Sequence, residues 1–394
     1  MDMHRLNHIQ VLKGVNLSFY RYLYRQIKWD DRLIGIQGAR GVGKTTLLLQ
    51  RIKSVFGDSE TALYLPLDNI RFERNTVSKV VKNFCAAGGT HLFLDNVHRY
   101  ERWTSLIGKL HATYPDLYIV FAISSQYPES KIIRALKEDV ELYTLQTMSF
   151  REYLDYEGAL ELKPYSLEDI VRNHATISQK IMDEINIAPI FRNYLDHGCY
   201  PFYWDDPDSY FFRLQDLMRD SVDIDLPAIA SVDYKMQHKI KELLLLLAEK
   251  LPEVPRFSQL AQEMKLDSTQ IRKCIEYIMS MGIFRILQSD ENPEGEFLQK
   301  SYLNNTNLLA CLFREDDRTY MAETFFIDQI SNVATVKLME NNDLLVDDKY
   351  TFLVGDPLKD YWRVRKTENI YGAIHGLSKS SGHKMPLWLL GLCY

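Results

Sequence analysis

An α/β fold is what this sequence predicts: a parallel-sheet domain first, then a helical segment, a winged helix-turn-helix and a small mixed α/β domain. Three observations carry that expectation. Short apolar runs alternate with helical stretches between residues 33 and 121, the pattern of a parallel sheet covered on both faces. Residues 149–232 are rich in aromatic and acidic residues and contain no strand pattern. Between 234 and 287, three helical stretches, with a short turn before the last, precede a strand, the order of a winged helix.

The elements follow in order. Residues 5–28 place Phe19, Tyr22, Leu23 and Ile27 on one side and arginines on the other, predicting a helical segment over residues 1–30. A turn at Trp29-Asp30-Asp31 leads into the strand Leu33–Ile36, a glycine-rich loop, and a helix from Lys44 to about Phe56. Ala62–Leu65, His91–Leu94 and Leu117–Phe121 read as buried strands, separated by helices near 74–87 and 101–113. The first α/β domain therefore spans 31–150, and a helical lid segment spans 151–232. Tyr234–Lys250, Phe257–Met264 and a third helix, capped by Ser268 and running to about Met281, form the winged helix of residues 233–290 with the strand Ile283–Leu287. Residues 291–394 hold a helix near 321–331 and strands near 333–338, 343–346 and 350–354.

Composition narrows the class. The 394 residues are 46% hydrophobic and 25% charged, an ordinary globular balance for two to four domains. With 47 basic and 53 acidic residues the net charge is −6, so any nucleic-acid contact must come from a local patch. Five scattered cysteines without a CxxC pair fit a reducing compartment and argue against a disulfide framework. No apolar stretch is long enough to cross a bilayer, and the N-terminus lacks the apolar core of a secretion signal. A cytoplasmic protein without a membrane partner is expected.

The sharpest motif is Gly38-Ala39-Arg40-Gly41-Val42-Gly43-Lys44-Thr45, followed by Thr46. It matches the phosphate loop GxxxxGK[ST] at every fixed position, between a strand and a helix, and predicts a P-loop NTPase sheet domain that binds ATP with Mg²⁺. Gly41 and Gly43 let successive N–H groups face the phosphates. Lys44 places a charge on the β- and γ-phosphates, Thr45 offers a hydroxyl to the metal, and the helix N-terminus adds its dipole. Asp95, closing the strand His91–Leu94, is the second expected metal residue. Asn96 stands where many such ATPases carry a glutamate that takes the proton of the attacking water. An asparagine can hydrogen-bond that water but has no base to offer, so slow hydrolysis is expected unless Glu101 or another subunit supplies a base. Ser124 or Ser125, ending the next strand, is placed to sense the γ-phosphate. Arg134 and Arg151 are candidate phosphate or inter-subunit arginines.

The loop GARGVGKTTLLLQ, the strand LYLPLD, the run LFLDNVHRYERW, the ISS after the next strand and above all Ser149-Phe150-Arg151-Glu152-Tyr153-Leu154 resemble a group of prokaryotic AAA-type P-loop ATPases. In that group a winged helix and a restriction-endonuclease-like domain follow the ATPase core. The C-terminal runs at 323–326, 345–352 and 386–390 are similar to one branch of it. The resemblance implies the nuclease-like domain over residues 291–394, and two departures qualify it. Asp95-Asn96 replaces the group's usual Asp-Glu. A nuclease-type metal site would need an acid and then an acid-x-lysine. Glu323 and Asp343 are available as early acids, but Leu353 stands where the later carboxylate belongs, and Lys349 and Lys359 have the wrong spacing. A degenerate scaffold is expected there.

Two further partners stay open: duplex DNA through the winged helix, and a second copy of the chain. Thr269, Gln270, Arg272 and Lys273 would face DNA, but residues 234–290 hold nine basic and seven acidic residues, only weakly basic. The competing functions are a nucleotide-switched ATPase, a DNA-binding regulator, and an assembly scaffold in which ATP is structural.

Overall fold

The computed structural model describes residues 3–72, 77–137, 139–251, 256–287, 300–312, 318–339, 342–355, 364, 368–377 and 379–394. Lys359, and residues 74–76 of the helix expected at 74–87, lie outside the described residues. The chain forms two compact units: Met1–Thr147 with Arg219–Tyr234, and Met148–Met218 with Lys235–Tyr394.

The first unit opens with α1 (Met3–Lys13) and the short α2 (Leu23–Gln26). The continuous helix expected over 5–28 is therefore interrupted. Gly14 follows α1 as a helix stop, and the Asn16 side chain accepts from the Ser18 N–H at 2.8 Å, a local turn that competes with the helix. Then come β1 (Leu33–Gly38), α3 (Lys44–Val55), β2 (Ala62–Pro66), α4 (Val77–Ala86), β3 (His91–Asp95), α5 (Trp103–Thr113), β4 (Tyr118–Ser124), α6 (Glu129–Leu136) and β5 (Glu141–Thr144).

The five strands lie in the order β2-β3-β4-β1-β5, every neighbouring pair parallel. Their continuous apolar runs reflect burial on both faces: Ile34 and Ile36 of β1, Leu92 and Leu94 of β3, and Ile119, Phe121 and Ile123 of β4 are all buried. Val81, Trp103, Ile107 and Ile132 close over one face from α4, α5 and α6. After β1 the chain jumps to the far edge at β2 and fills inward through β3 and β4, then adds β5 on the other side. β1 thus sits where strand order reverses, and the crevice beyond the carboxyl ends of β1, β3 and β4 is where such sheets bind ligands.

The second unit begins with α7 (Phe150–Tyr156), α8 (Leu167–Glu184), α9 (Ile187–His197) and α10 (Tyr210–Asp220). Ser149 and Glu152 form a reciprocal capping box on α7: the Ser149 hydroxyl accepts from the Glu152 N–H (3.2 Å), and the Glu152 carboxylate accepts from the Ser149 N–H (3.1 Å). At residue 219 the chain enters the first unit for a π-helical turn, Ser221–Asp225, and α11 (Leu226–Ile229). The segment expected as one lid at 151–232 is thus divided between the units.

The second unit continues with α12 (Tyr234–Lys250), α13 (Phe257–Met264) and α14 (Ser268–Ser280), then the antiparallel ribbon β6 (Phe284–Ile286) and β7 (Ser301–Leu303). The cap of α14 is Asp267, not Ser268: its carboxylate accepts from the Gln270 N–H at 2.8 Å, and the Gln270 amide oxygen accepts back at 3.1 Å. The chain ends with α15 (Thr306–Leu312), α16 (Arg318–Ile330), β8 (Val336–Leu338), β9 (Leu344–Val346), β10 (Tyr350–Gly355), β11 (Ile370–Ile374) and β12 (Lys384–Pro386). These strands pair in the order β12-β11-β10-β9-β8, parallel from β10 to β12 and antiparallel from β8 to β10. The strand expected from 333 starts later because Val333 and Ala334 donate to Ile330 O, closing the end of α16. Among the described residues no helix is long and apolar enough to cross a membrane.

Candidate nucleotide site

The glycine-rich loop leaves the end of β1 in the first unit. Gly38 pairs with Ser124 across the sheet, and a Cβ on it would lie 2.5 Å from the Leu145 carbonyl oxygen. Only glycine passes that point. Gly41 and Gly43 have φ of 82° and 100°, and Gly43 is the N-cap of α3, so the loop turns into the helix through backbone that a side chain would strain. No side chain caps α3. Its first-turn N–H groups and the positive end of its dipole are the features that bind anions.

Side chains from distant parts of the same unit brace this loop. Arg21, only 4% exposed, donates through Nη1 to Val42 O and through Nη2 to Gln146 O at 2.8 Å. Val42 itself is buried. Arg40 donates to both oxygens of Asp225 and to Asp220 Oδ2, each at 3.1 Å. His98 Nε2 lies 3.4 Å from Asp225 Oδ1. Burial pushes the Asp225 carboxyl up, but the His98 and Arg40 partners outweigh it and hold the group below its ordinary value.

Lys44 Nζ donates to Gly38 O and Ala39 O, both at 2.7 Å. Burial lowers its pKa to about 8, the Asp95 and Asp225 charges resist that fall, and Arg40 adds to it.

Thr45 and Asp95 meet directly: Thr45 Oγ1 donates to Asp95 Oδ2 at 2.6 Å. Tyr64 in β2 donates its hydroxyl to the same oxygen at 2.8 Å, and the Asn96 N–H donates to Oδ1 at 2.9 Å. Asp95 is 1% exposed, and these three donors satisfy a carboxylate that would otherwise be costly to bury. Burial, then the Asp95 charge and hydrogen bond, push the Tyr64 hydroxyl well above its ordinary pKa, so it stays a proton donor.

Asn96 adopts φ 52°, a left-handed conformation that asparagine tolerates, and its amide donates to Asp68 Oδ2 at 3.2 Å. Arg99 Nη1 donates to the same oxygen at 3.0 Å. Ser124 is buried at the end of β4, its hydroxyl accepting from the Gln126 N–H at 3.4 Å, while the Ser125 N–H donates to Gly38 O at 3.0 Å. Thr46 is exposed on α3, and Arg134 on α6. Glu101 is 88% exposed at its side chain and faces Arg102 at 3.5 Å.

The structure thus gathers Gly38 to Thr45, Asp95, Asn96 and Ser124 at the carboxyl ends of adjoining strands. Arg151 belongs to the second unit, where Nε donates to Tyr394 O at 2.7 Å and Nη1 to Leu162 O at 3.1 Å. The donor set fits a nucleoside triphosphate with a hard divalent cation: backbone N–H groups and Lys44 for the phosphates, the Thr45 hydroxyl and the Asp95 carboxylate for the metal. Tyr64, Asp68, Arg21 and Asp225 escaped the sequence reading. Tyr64 sits in an apolar strand where a tyrosine reads as core, and the others reach the site only through tertiary contacts.

The acids of the second unit behave differently. Glu323 Oε2 is buried and accepts from Lys300 Nζ at 2.6 Å and from the Tyr302 hydroxyl at 2.9 Å. Asp343 is buried just before β9, Leu353 is buried in β10, and Lys349 lies 3.9 Å from Glu168. Among the described residues no three His, Cys, Asp or Glu side chains are grouped to hold a metal.

A family model described as an AAA domain matches residues 30–154. Those residues form an AAA-type P-loop domain. No curated protein matches the sequence. Among solved structures, AMPPCP-bound DnaA from Aquifex aeolicus aligns at 15% identity over 71% of this chain and 89% of its own, with a TM-score of 0.27. DnaA bound to AMPPCP and single-stranded DNA aligns at 16% identity over 69% of this chain and 86% of its own, with a TM-score of 0.25. C. elegans PCH-2 aligns at 13% identity over 70% of this chain and 65% of its own, with a TM-score of 0.26. At TM-scores this low the likenesses decide nothing further about this chain.

Proposed function

We propose that the chain is an ATP-binding, AAA-type P-loop ATPase that acts as a nucleotide-dependent switch and turns over slowly. The observation that carries this reading is the 2.6 Å hydrogen bond from Thr45 Oγ1 to Asp95 Oδ2, which joins the glycine-rich loop to a carboxylate ending a buried strand. In this reading the backbone of Gly38, Ala39, Arg40, Gly41, Val42, Gly43, Lys44, Thr45 and Thr46 wraps the phosphates. Lys44 moves from the loop carbonyls to the β- and γ-phosphates. Thr45 and, through water, Asp95 hold Mg²⁺, whose chemistry is to neutralise charge on the phosphates. Ser124 hydrogen-bonds the γ-phosphate in this reading. Asn96 orients water without deprotonating it, which costs roughly 10²- to 10⁴-fold in rate where no other base acts.

The switch rests on Arg40. This residue of the phosphate loop is paired with Asp220 and Asp225, in the segment whose two ends continue into the second unit. A triphosphate in the loop competes with those carboxylates for the guanidinium, so occupancy and segment position are linked. The test is ATP binding and single-turnover hydrolysis with Mg²⁺ by the wild type and by Lys44→Ala. Tight, Lys44-dependent binding is expected, and equal affinity in the two proteins would sink the assignment.

A second reading, duplex DNA binding through a winged helix, is supported by the sequence of α13, α14 and the β6–β7 ribbon, with Thr269, Arg272 and Lys273 exposed on α14. The Arg272 guanidinium lies 4.0 Å over the Phe257 ring, which holds it extended along the helix surface. The nuclease-like reading of the last hundred residues becomes, with Glu323 engaged by Lys300, a proposal of a scaffold without cleavage.

A further inference from the structure

The residue at the usual glutamate position is an amide, yet a carboxylate stands directly beside it. β2 and β3 run in register with Pro66 opposite Asp95, and the Leu67 N–H donates to Asp95 O at 2.9 Å. The chain leaving β2 is thereby fixed next to Asn96, and its next residue is Asp68. One oxygen of Asp68, Oδ2, accepts both the Asn96 amide (3.2 Å) and Arg99 Nη1 (3.0 Å). Among the described residues Oδ1 accepts nothing. The side chain is 27% exposed, so water reaches it. Hydrogen bonds link Thr45 in the phosphate loop to Asp95 and Asp95 to the Asn96 N–H, and the Asn96 side-chain amide reaches on to Asp68.

We propose that Asp68 is the catalytic base of this site and that Asn96 is its positioning residue, with amide and carboxylate exchanged across one hydrogen bond. The proposal rests on the reading of the site as an ATPase. In the step itself, a lone pair of the attacking water forms the new bond to the γ-phosphorus as the bond from that phosphorus to the bridging oxygen breaks. The bridging oxygen keeps the electron pair and leaves on ADP. The water proton passes to Asp68 Oδ1 and from there to the departing phosphate or to bulk water, restoring the carboxylate. Arg99, paired with the other oxygen, holds the group in orientation.

The alternative carboxylate, Glu101, is almost fully exposed, and among the described residues its ion-pair partner is its chain neighbour Arg102. It lacks any contact that would hold it against Asn96, whereas Asp68 has two.

The test compares the wild type, Asp68→Asn, and the exchanged pair Asp68→Asn with Asn96→Asp. ATP affinity and single-turnover hydrolysis are measured on the same Mg²⁺-containing samples. Asp68→Asn keeps a side chain of the same shape, so ATP affinity is expected to stay within about threefold while turnover falls by about 100-fold. The exchanged pair returns a carboxylate to the same hydrogen bond, at a position where aspartate tolerates positive φ. It is expected to run about tenfold faster than Asp68→Asn. Wild-type turnover in Asp68→Asn would overturn the proposal, as would turnover and affinity falling together, or an exchanged pair no faster than the single variant. ATP binding without turnover in the wild type would sink Asp68 alone. A wild type that binds no ATP would sink the ATPase reading as well.

Discussion

Arg40 and Asp225, 185 residues apart in the chain, form a two-oxygen pair: Arg40 Nη1 lies 3.1 Å from both Oδ1 and Oδ2. The carboxylate side chain is 4% exposed and the guanidinium 33%, so the acid carries most of the burial. The glycine-rich loop is thus tied through Arg40 to a carboxylate far along the chain.

Removing Asp225 should therefore destabilise the first unit. Asp225→Ala leaves Arg40 and His98 without their shared acceptor, and the expected loss is about 2–3 kcal/mol, kept low because Arg40 is partly in water. The pH dependence has a definite sign. The folded carboxyl is held below its ordinary value, so its contribution is complete above about pH 4 and is lost as pH falls through the folded value. Urea midpoints at pH 7 and pH 3 check this: the gap between wild type and variant should close in acid.

Lys44 gives a pH dependence of the opposite kind, read in binding. Its pKa in the free site is about 8, and a triphosphate would raise it by pairing with the ammonium. Below pH 8 both free and bound forms are protonated and affinity is flat. Above it, binding must take up a proton, so affinity should fall by about tenfold per pH unit until the raised value is reached. Titration of a fluorescent ATP analogue between pH 6.5 and 10 measures this, and Lys44→Ala should lose the tight binding throughout.

Tyr64 tests how Asp95 is held. Its hydroxyl donates to Asp95 Oδ2, as the Thr45 hydroxyl does. Tyr64→Phe keeps the ring and deletes the donor, which should cost about 1.5–3 kcal/mol, the range for a hydrogen bond to a charged acceptor. It also frees Asp95 to rotate, so the Mg²⁺ concentration giving half-maximal ATP binding should shift while binding without Mg²⁺ stays constant. A stability loss with an unchanged Mg²⁺ curve would assign Tyr64 to folding alone.

Much of this site was legible in the chain because its loop obeys local rules. Gly43 is needed for its φ and Gly38 for the carbonyl at its shoulder, and those needs write themselves as spaced glycines. Asp95 ends an apolar run and reads the same way. The braces were not legible: Arg21 and Asp225 meet the loop only because the fold brings residues 21 and 225 to it. Asp68 looks like a loop residue until the register of Pro66 with Asp95 sets it beside Asn96. β5 escaped because four half-exposed residues carry no pattern, and the N-terminal helix was read too long because Gly14 is followed by amphipathic sequence. In SFREYL, serine and glutamate form a helix cap and arginine donates to Tyr394 O.

The DNA reading has its own test on α14. Arg272 and Lys273 are exposed, with Arg272 lying over Phe257 and Lys273 5.8 Å from the Tyr277 ring. If both reach phosphates, replacing them with alanine should weaken duplex binding and reduce the slope of log affinity against log salt by about 1.8, at 0.9 per phosphate contact. Losing the Phe257 contact should cost only about 0.5–1 kcal/mol of stability, so the variant should remain folded. Anisotropy with a labelled duplex at 50–200 mM salt reads both terms. A wild type that leaves the duplex free at the lowest salt removes the regulator hypothesis, and an unchanged slope in the double variant moves any DNA contact off this helix.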